Sequence, residues 1–271
     1  DGTKGYGGCV YCDVEGSGTG ALRRGVDIAR QLELGLERIA RRKHPGPAVA
    51  YFQSYSNTYV ARERLAEVLS VVEPHLGSRV VALSVATRPD TLGAEALELL
   101  CAWNQRLPVW IELGLEAADD ALLARINRLH TVADFFDAVA RCKQRGLLTV
   151  GHAILGLPGD ERPGALRTAR ALRESGVDGV KVHQLMVLRR TVIEKWWRDG
   201  QVALLDMDTY VAWLADFVEQ LSPQQVLHRV AGDAAPSDLV APEWSQHNSG
   251  VAAKLAHELA RRGTSQGHAL R

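Results

Sequence analysis

The sequence predicts an α/β protein whose parallel strands curl into an open or closed barrel. Three observations carry this reading. Short β-rich runs alternate with longer Ala-, Leu-, Arg- and Glu-rich stretches of helical spacing. Successive strand candidates lie ~30 residues apart, the size of one βαβ unit. The strands contain unbroken apolar runs such as Val80-Val81-Ala82-Leu83, as expected where both faces of a sheet are covered. Such alternation implies right-handed crossovers. The length of 271 residues suits one barrel of ~200–250 residues or two smaller domains.

In chain order, a long first helix is expected over 21–43, where Val26, Ala29, Leu32, Leu36 and Ile39 recur three or four apart. Strands follow at 48–53, 79–86, 109–115, 147–155 and 179–185, with helices between them at 62–74, 94–106, 131–145 and 164–175. Five such units, with one more expected upstream of Asp1, make a partial (β/α)6 barrel whose first strand is missing. This core is placed over 1–188. Residues 189–271 are less regular, with helices expected at 192–198, 208–221 and 249–262 and a strand at 226–230. They read as a C-terminal α/β extension packed on the barrel. In such folds the site lies at the carboxyl ends of the strands. The tips there are polar or glycine-rich: 53–59, 87–90, 114–116, 156–160 and 183–184.

Lys and Arg total 32 against 32 Asp and Glu, so the formal charge is zero. That gives no strong pull toward nucleic acid or anionic lipid, although a local basic patch remains compatible with it. Pairs such as Arg41-Arg42 and Arg189-Arg190 suit phosphate contact, but solvated helix faces carry the same pattern. No run approaches the ~18 apolar residues of a membrane span. Four cysteines, at 9, 12, 101 and 142, are too few for a disulfide framework and favour a reducing, cytoplasmic setting. Cys101 and Cys142 fall in helical stretches and read as small buried apolar residues. Cys9 and Cys12 differ, because they form Cys-x-x-Cys behind a glycine-rich loop. That motif suits half a zinc site, a dithiol pair or part of an iron–sulfur site. No second Cys/His pair follows at finger-like spacing, and glycines at 2, 5, 7 and 8 would let backbone wrap round a cluster. The chemistry therefore ranks cluster before zinc and zinc before redox pair.

Seven segments carry a resemblance. They are Asp1-Gly2-Thr3-Lys4-Gly5-Tyr6-Gly7-Gly8-Cys9-Val10-Tyr11-Cys12, Ala50-Tyr51-Phe52-Gln53-Ser54-Tyr55, Ala86-Thr87-Arg88-Pro89-Asp90, Glu112-Leu113-Gly114-Leu115-Glu116, Arg125-Ile126-Asn127-Arg128-Leu129-His130, Gly156-Leu157-Pro158-Gly159 and Lys181-Val182-His183. From Asp1 to about Glu258 the chain resembles the radical SAM superfamily. It is most similar to a bacterial YhcC-like family related to the catalytic subunit of Elongator. The resemblance implies the partial TIM-type barrel of that superfamily. It also implies a 4Fe–4S cluster held by three cysteines, with the fourth iron chelated by the amino and carboxylate groups of S-adenosyl-L-methionine. Cys9 and Cys12 match the second and third cluster ligands. The first would lie four residues before Asp1, so the chain as given is expected to lack one cluster thiolate and to be inactive alone.

The remaining assignments are implied in the same way. Gln53, Ser54 and Tyr55 replace the glycines whose carbonyls receive the methionine amino group. Arg128 matches an arginine that pairs with the methionine carboxylate in the coproporphyrinogen-oxidase branch. Glu116 stands where that branch has Gln, and His152 where it has Asp, both as ribose contacts. Gly156 and Leu157 would approach adenine. Ala86 replaces a glutamate of Elongator, so no carboxylate is expected there. Lys181 and His183, two apart on one strand, share a face and form the substrate-facing set. The implied chemistry is reductive cleavage of S-adenosylmethionine by the cluster, then hydrogen abstraction from substrate by a 5′-deoxyadenosyl radical. A flavodoxin- or ferredoxin-like one-electron reductant would supply the electron. The Elongator subunit modifies wobble uridine, which makes tRNA a candidate substrate. The alternatives are a small-molecule or protein substrate, or a non-catalytic barrel that only binds.

Overall fold

A computed structural model describes residues 5–12 and 26–270. Helix α1 (Ile28–Ala40) leads into β1 (Ala48–Phe52), α2 (Arg62–Ser70), β2 (Val80–Thr87), α3 (Ala94–Asn104) and β3 (Val109–Glu116). Then come α4 (Asp120–Arg125), α5 (Val132–Lys143), β4 (Leu148–Leu155), α6 (Arg162–Ser175), β5 (Gly179–Gln184) and β6 (Val187–Leu188). The chain ends with α7 (Val192–Arg198), α8 (Met207–Gln220), β7 (Val226–Arg229), β8 (Leu239–Ala241) and α9 (Val251–Arg262). One sheet runs β1-β2-β3-β4-β5-β7, and every neighbouring pair is parallel. It curls into a half-barrel, as the sequence predicts. Strands β6 and β8 pair antiparallel beside it.

Strand alternation divides the residues between two environments. On β3, Ile111, Leu113 and Leu115 are fully buried among Phe135 and Val139 of α5, Leu172 of α6 and the rest of the outer core. Trp110, Glu112 and Gly114 take the other face, toward the barrel interior. The helices are fixed at their starts. Thr131 and Asp134 form a reciprocal capping box on α5, and Asp119 caps α4 by accepting from the Leu122 amide at 3.0 Å.

The departures from expectation have physical reasons. Helix α2 stops at Ser70 rather than 74, and Pro74 sits in a separate short turn of helix. The expected first helix begins at Ile28, and residues 21–25 lie outside the described residues. The strand expected in the C-terminal extension, β7, hydrogen-bonds to β5 as the sixth member of the main sheet. Helix α4, six residues long, is too short to show a helical period. Cys142 is buried in the core, and Cys101 packs against it partly exposed.

Gly151 marks where α5 and α6 press on the sheet. A β-carbon there would lie 2.3 Å from Leu172 Cδ2 and 3.3 Å from Phe135 Cζ. Gly151→Ala should therefore destabilise the fold by about 1–3 kcal/mol through overpacking, read as a lower urea midpoint with an unchanged slope. An unchanged midpoint would mean the two helices do not close on β4 as described.

Candidate functional site

The site begins with how a glycine loop is seated. Gly5, Gly7 and Gly8 all take positive φ, which brings the chain back sharply. Val10 is stitched on both sides: its amide donates to Ile126 O at 3.1 Å, and its carbonyl accepts from the Ile193 amide at 2.9 Å. Its side chain packs with Ile126, Ile154, Leu157 and Ile193. The amide of Cys12 donates to Cys9 O at 3.1 Å, so the two cysteines flank one tight turn. Asn127 Nδ2 closes the loop from the other side, donating to Tyr6 O at 2.8 Å and Gly8 O at 2.6 Å.

The turn after α4 supplies the opposing wall. Asn127 and Leu129 both have positive φ, 54° and 60°, and the Arg128 amide donates to Leu123 O at 2.9 Å. Two left-handed residues around one ordinary residue turn Arg128 inward. Its Nη1 donates to Cys9 Sγ at 3.5 Å and its Nη2 to Gly114 O at 3.4 Å. Nη2 also lies 2.9 Å from Glu116 Oε1. Glu116 itself has φ 66°, which swings it off the strand toward Arg128. Gly114 leaves room for this pair, since a β-carbon there would stand 2.1 Å from Arg128 Nη2 and 2.2 Å from Glu116 Oε1. The Arg88–Asp90 pair, buried at 2.7 Å, props the same turn through Arg88 Nη2 and Leu129 O at 3.3 Å.

The electrostatics favour a thiolate at Cys9. A hydrogen bond from the Cys12 thiol and the Arg128 guanidinium outweigh burial and bring its pKa down to about 5. Cys12 is pushed up as the donor of that pair. Burial alone would raise the Glu116 carboxyl, but Arg128 and the nearby histidines keep it below its ordinary value. Burial and Arg128 hold His130 down to about 4, hence neutral. Among the described residues, four buried side-chain polar atoms lack a hydrogen-bond partner: Tyr11 Oη, Arg128 Nε and both ring nitrogens of His130. All four belong to this site.

The other site residues expected from sequence fall in three places. Gln53, Ser54 and Tyr55 form the tip after β1, and Tyr55 has φ 65°. Asn57 staples that tip, donating to Phe52 O at 3.0 Å and Ala86 O at 2.8 Å. Gly156, with φ 82°, and buried Leu157 border a cavity of about 250 Å³ closed by Leu204, Leu205 and Trp213. His152 and Lys181 meet deeper in the barrel, on Glu112. Lys181 Nζ donates to both Glu112 oxygens at 2.6 and 2.5 Å, His152 Nε2 lies 2.7 Å from Oε2, and Ser84 donates as well. Burial pushes the Glu112 carboxyl up, but His152 and then Lys181 overcome it and hold it far below the usual carboxylate range. His183 Nδ1 lies 3.0 Å from Gln184 O. Glu112 is the register partner of Ala86, so the interior gains a carboxylate from the neighbouring strand. Its signal was a charge inside the apolar run Val109-Trp110-Ile111-Glu112-Leu113. A larger hollow of about 610 Å³ opens at the amino ends of β3 to β5, away from the cysteines.

The sequence and the fold can also be compared with known proteins. The profile of the Radical SAM superfamily matches residues 6–163, and that of the Radical_SAM C-terminal domain matches 177–261. YtqA of Bacillus subtilis is 33% identical over 98% of this chain and 82% of its own length. YhcC of Escherichia coli is 33% identical over 91% and 78%. A tRNA uridine(34) acetyltransferase of Dehalococcoides mccartyi is 28% identical over 57% of this chain but only 34% of its own length. Among solved structures, the archaeal Methanocaldococcus infernus Elp3 superposes with a TM-score of 0.77 at 17% identity, over 93% of this chain and 63% of that one.

Asn127 offers a direct check on the loop. Asn127→Gly keeps the left-handed backbone accessible but removes both amide bonds to the loop. Loss of two hydrogen bonds of roughly 1 kcal/mol each should raise amide exchange at Gly7–Cys9 by about 5- to 30-fold. Exchange there equal to the native rate would show that the loop is held by something else.

Proposed function

The chain belongs to the radical SAM superfamily, whose members bind a 4Fe–4S cluster and S-adenosylmethionine, and we propose that it uses both at the Cys9–Arg128 site to abstract hydrogen from a substrate. One observation carries the reading. The described residues leave their unpartnered buried polar atoms on three residues, Arg128 and the Tyr11 and His130 side chains that feel its charge. Buried polar groups are otherwise almost always paired, so these atoms mark where a polar partner is missing. The donor set fits the family's cofactors. Two sulfurs on one turn, one of them favoured as thiolate, suit iron. Among the described residues, no group of three His, Cys, Asp or Glu side chains could hold a metal. A cluster with three thiolates would take the third from outside those residues.

Each neighbouring side chain then has a task. Cys9 and Cys12 hold iron. Arg128 Nε lacks a partner while its other nitrogens are engaged, and its guanidinium would pair with the methionine carboxylate. Glu116 fixes the guanidinium plane and offers an oxygen to the ribose. Gln53, Ser54 and Tyr55 present backbone to the methionine amino group on a tip fixed by Asn57. Gly156 and Leu157 border the cavity that takes adenine. His152 supports the ribose side from its place on Glu112, and Lys181 and His183 face substrate. When bound, the cluster and S-adenosylmethionine supply one-electron cleavage and hydrogen abstraction, while the barrel supplies position and excludes water. Residues 1–188 hold the cofactors, and 189–271 complete the interior with β7. A flavodoxin- or ferredoxin-like protein delivers the electron in the cytoplasm. The identity with a tRNA uridine(34) acetyltransferase favours wobble uridine of tRNA as the substrate. Among the described residues no helix is long and apolar enough to cross a membrane.

The test is anaerobic reconstitution of protein carrying all three cysteines, followed by titration with S-adenosylmethionine. Arg128→Ala should keep its iron but lose on the order of 1.5–3 kcal/mol of affinity for the cofactor, about 10- to 150-fold. Cys9→Ala and Cys12→Ala should each lose iron. Affinity unchanged in Arg128→Ala would remove Arg128 from the cofactor site. Iron retained in both cysteine variants would remove the site itself.

A further inference from the structure

We propose that the barrel interior holds a second binding site, centred on Arg229 of β7, for an oxyanion of the substrate, a phosphate or a carboxylate. The inference rests on the preceding reading insofar as its ligand is that reaction's substrate. The register places the residue. Strands β5 and β7 are parallel neighbours, and Lys181 is paired with Arg229. Residues paired across adjacent strands project to the same face. Lys181 projects inward, where it reaches Glu112, so Arg229 enters the same space. Its charge is felt there by Tyr51, Lys181 and His183.

The charges in that layer do not balance. Glu112 is the carboxylate, and Lys181 and Arg229 are two fixed cations. Glu112 is already saturated by Lys181 on both oxygens, by His152 and by Ser84. Lys181 is further held over the Tyr51 ring, 4.2 Å from its centroid, a cation–π contact. Arg229 is half-buried and has no ion pair or hydrogen bond among the described residues. Its nitrogens are not among the buried unpartnered atoms of the described residues, so they still reach water and can exchange it for an anion. Its planar fork matches a phosphate or carboxylate at two points. The space is open to a ligand, since the inward-facing Val49, Tyr51 and Leu148 remain 39%, 36% and 42% exposed. An anion anchored on β7 would hold a substrate across the barrel from Glu112, below the mouth where the cofactors are proposed to sit.

Calorimetric titration of the native chain with uridine 5′-monophosphate, uridine and succinate tests this without cluster or reductant. One of the two anions should bind saturably, about tenfold or more weakly in Arg229→Gln and at intermediate strength in Arg229→Lys, which keeps the charge but not the fork. Uridine should respond to neither variant. Binding of the monophosphate assigns the oxyanion to a phosphate, and binding of succinate to a carboxylate. In the native protein the same probe should shield Arg229 from phenylglyoxal, read by mass spectrometry, which keeps the test valid should Arg229→Gln fail to fold. No saturable binding of either anion below about 10 mM, or no shielding, overturns the proposal. Failure here would leave the cysteine site standing, and loss of cofactor binding would leave this site standing.

Discussion

Everything at the mouth of this barrel depends on where one guanidinium is held. Arg128 touches the thiol of Cys9, the carbonyl of Gly114 and the carboxylate of Glu116, and so joins the glycine loop to the third strand. Nothing about a surface arginine would fix it there. It is held because Asn127 and Leu129 are both left-handed, because Gly114 has no side chain, and because Glu116 leaves the regular strand to meet it. Positive φ at non-glycine residues carries a strain cost. That three such residues surround one arginine argues that its placement is what the local backbone is arranged to secure. The same guanidinium leaves one nitrogen, Nε, buried without a partner.

Below the mouth lies a second polar layer with a different logic. Buried charges are tolerated when they are paired and hydrogen-bonded. Glu112 meets that condition through strands β2, β4 and β5 at once. It thereby ties Ser84, His152 and Lys181 into one unit at the barrel axis. This unit gives the half-barrel a charged, hydrogen-bonded interior layer beneath Arg128, in place of an apolar one. The helices and the outer face of the sheet carry the stability, and the inner face is left free for chemistry.

Much of this was legible in the residues. The apolar runs of β2 to β5 and the ~30-residue repeat marked a parallel sheet, and the sheet formed as expected. Cys9, Cys12 and Arg128 were marked by motif, and the fold brings Arg128 to the sulfur of Cys9. The interior network was not legible, because its partners are far apart in sequence. Glu112 meets His152 40 residues on and Lys181 69 residues on, and only strand register aligns them. Asn127 and His130 were seen as parts of a motif, without roles, because a loop staple and an unpartnered imidazole exist only in three dimensions. The sixth strand, β7, was read as extension, since four residues with no preceding apolar run give no sign of which sheet they join.

The central claim is that S-adenosylmethionine binds directly beside a cluster held by Cys9 and Cys12, with its carboxylate drawn to Arg128. Electron paramagnetic resonance of the reduced, reconstituted protein tests it most directly. Adding S-adenosylmethionine should change the g-values of the cluster signal, and a carboxylate labelled with 17O should show coupling to iron that is weakened in Arg128→Ala. A signal indifferent to S-adenosylmethionine, in protein whose cluster is intact, would contradict the account.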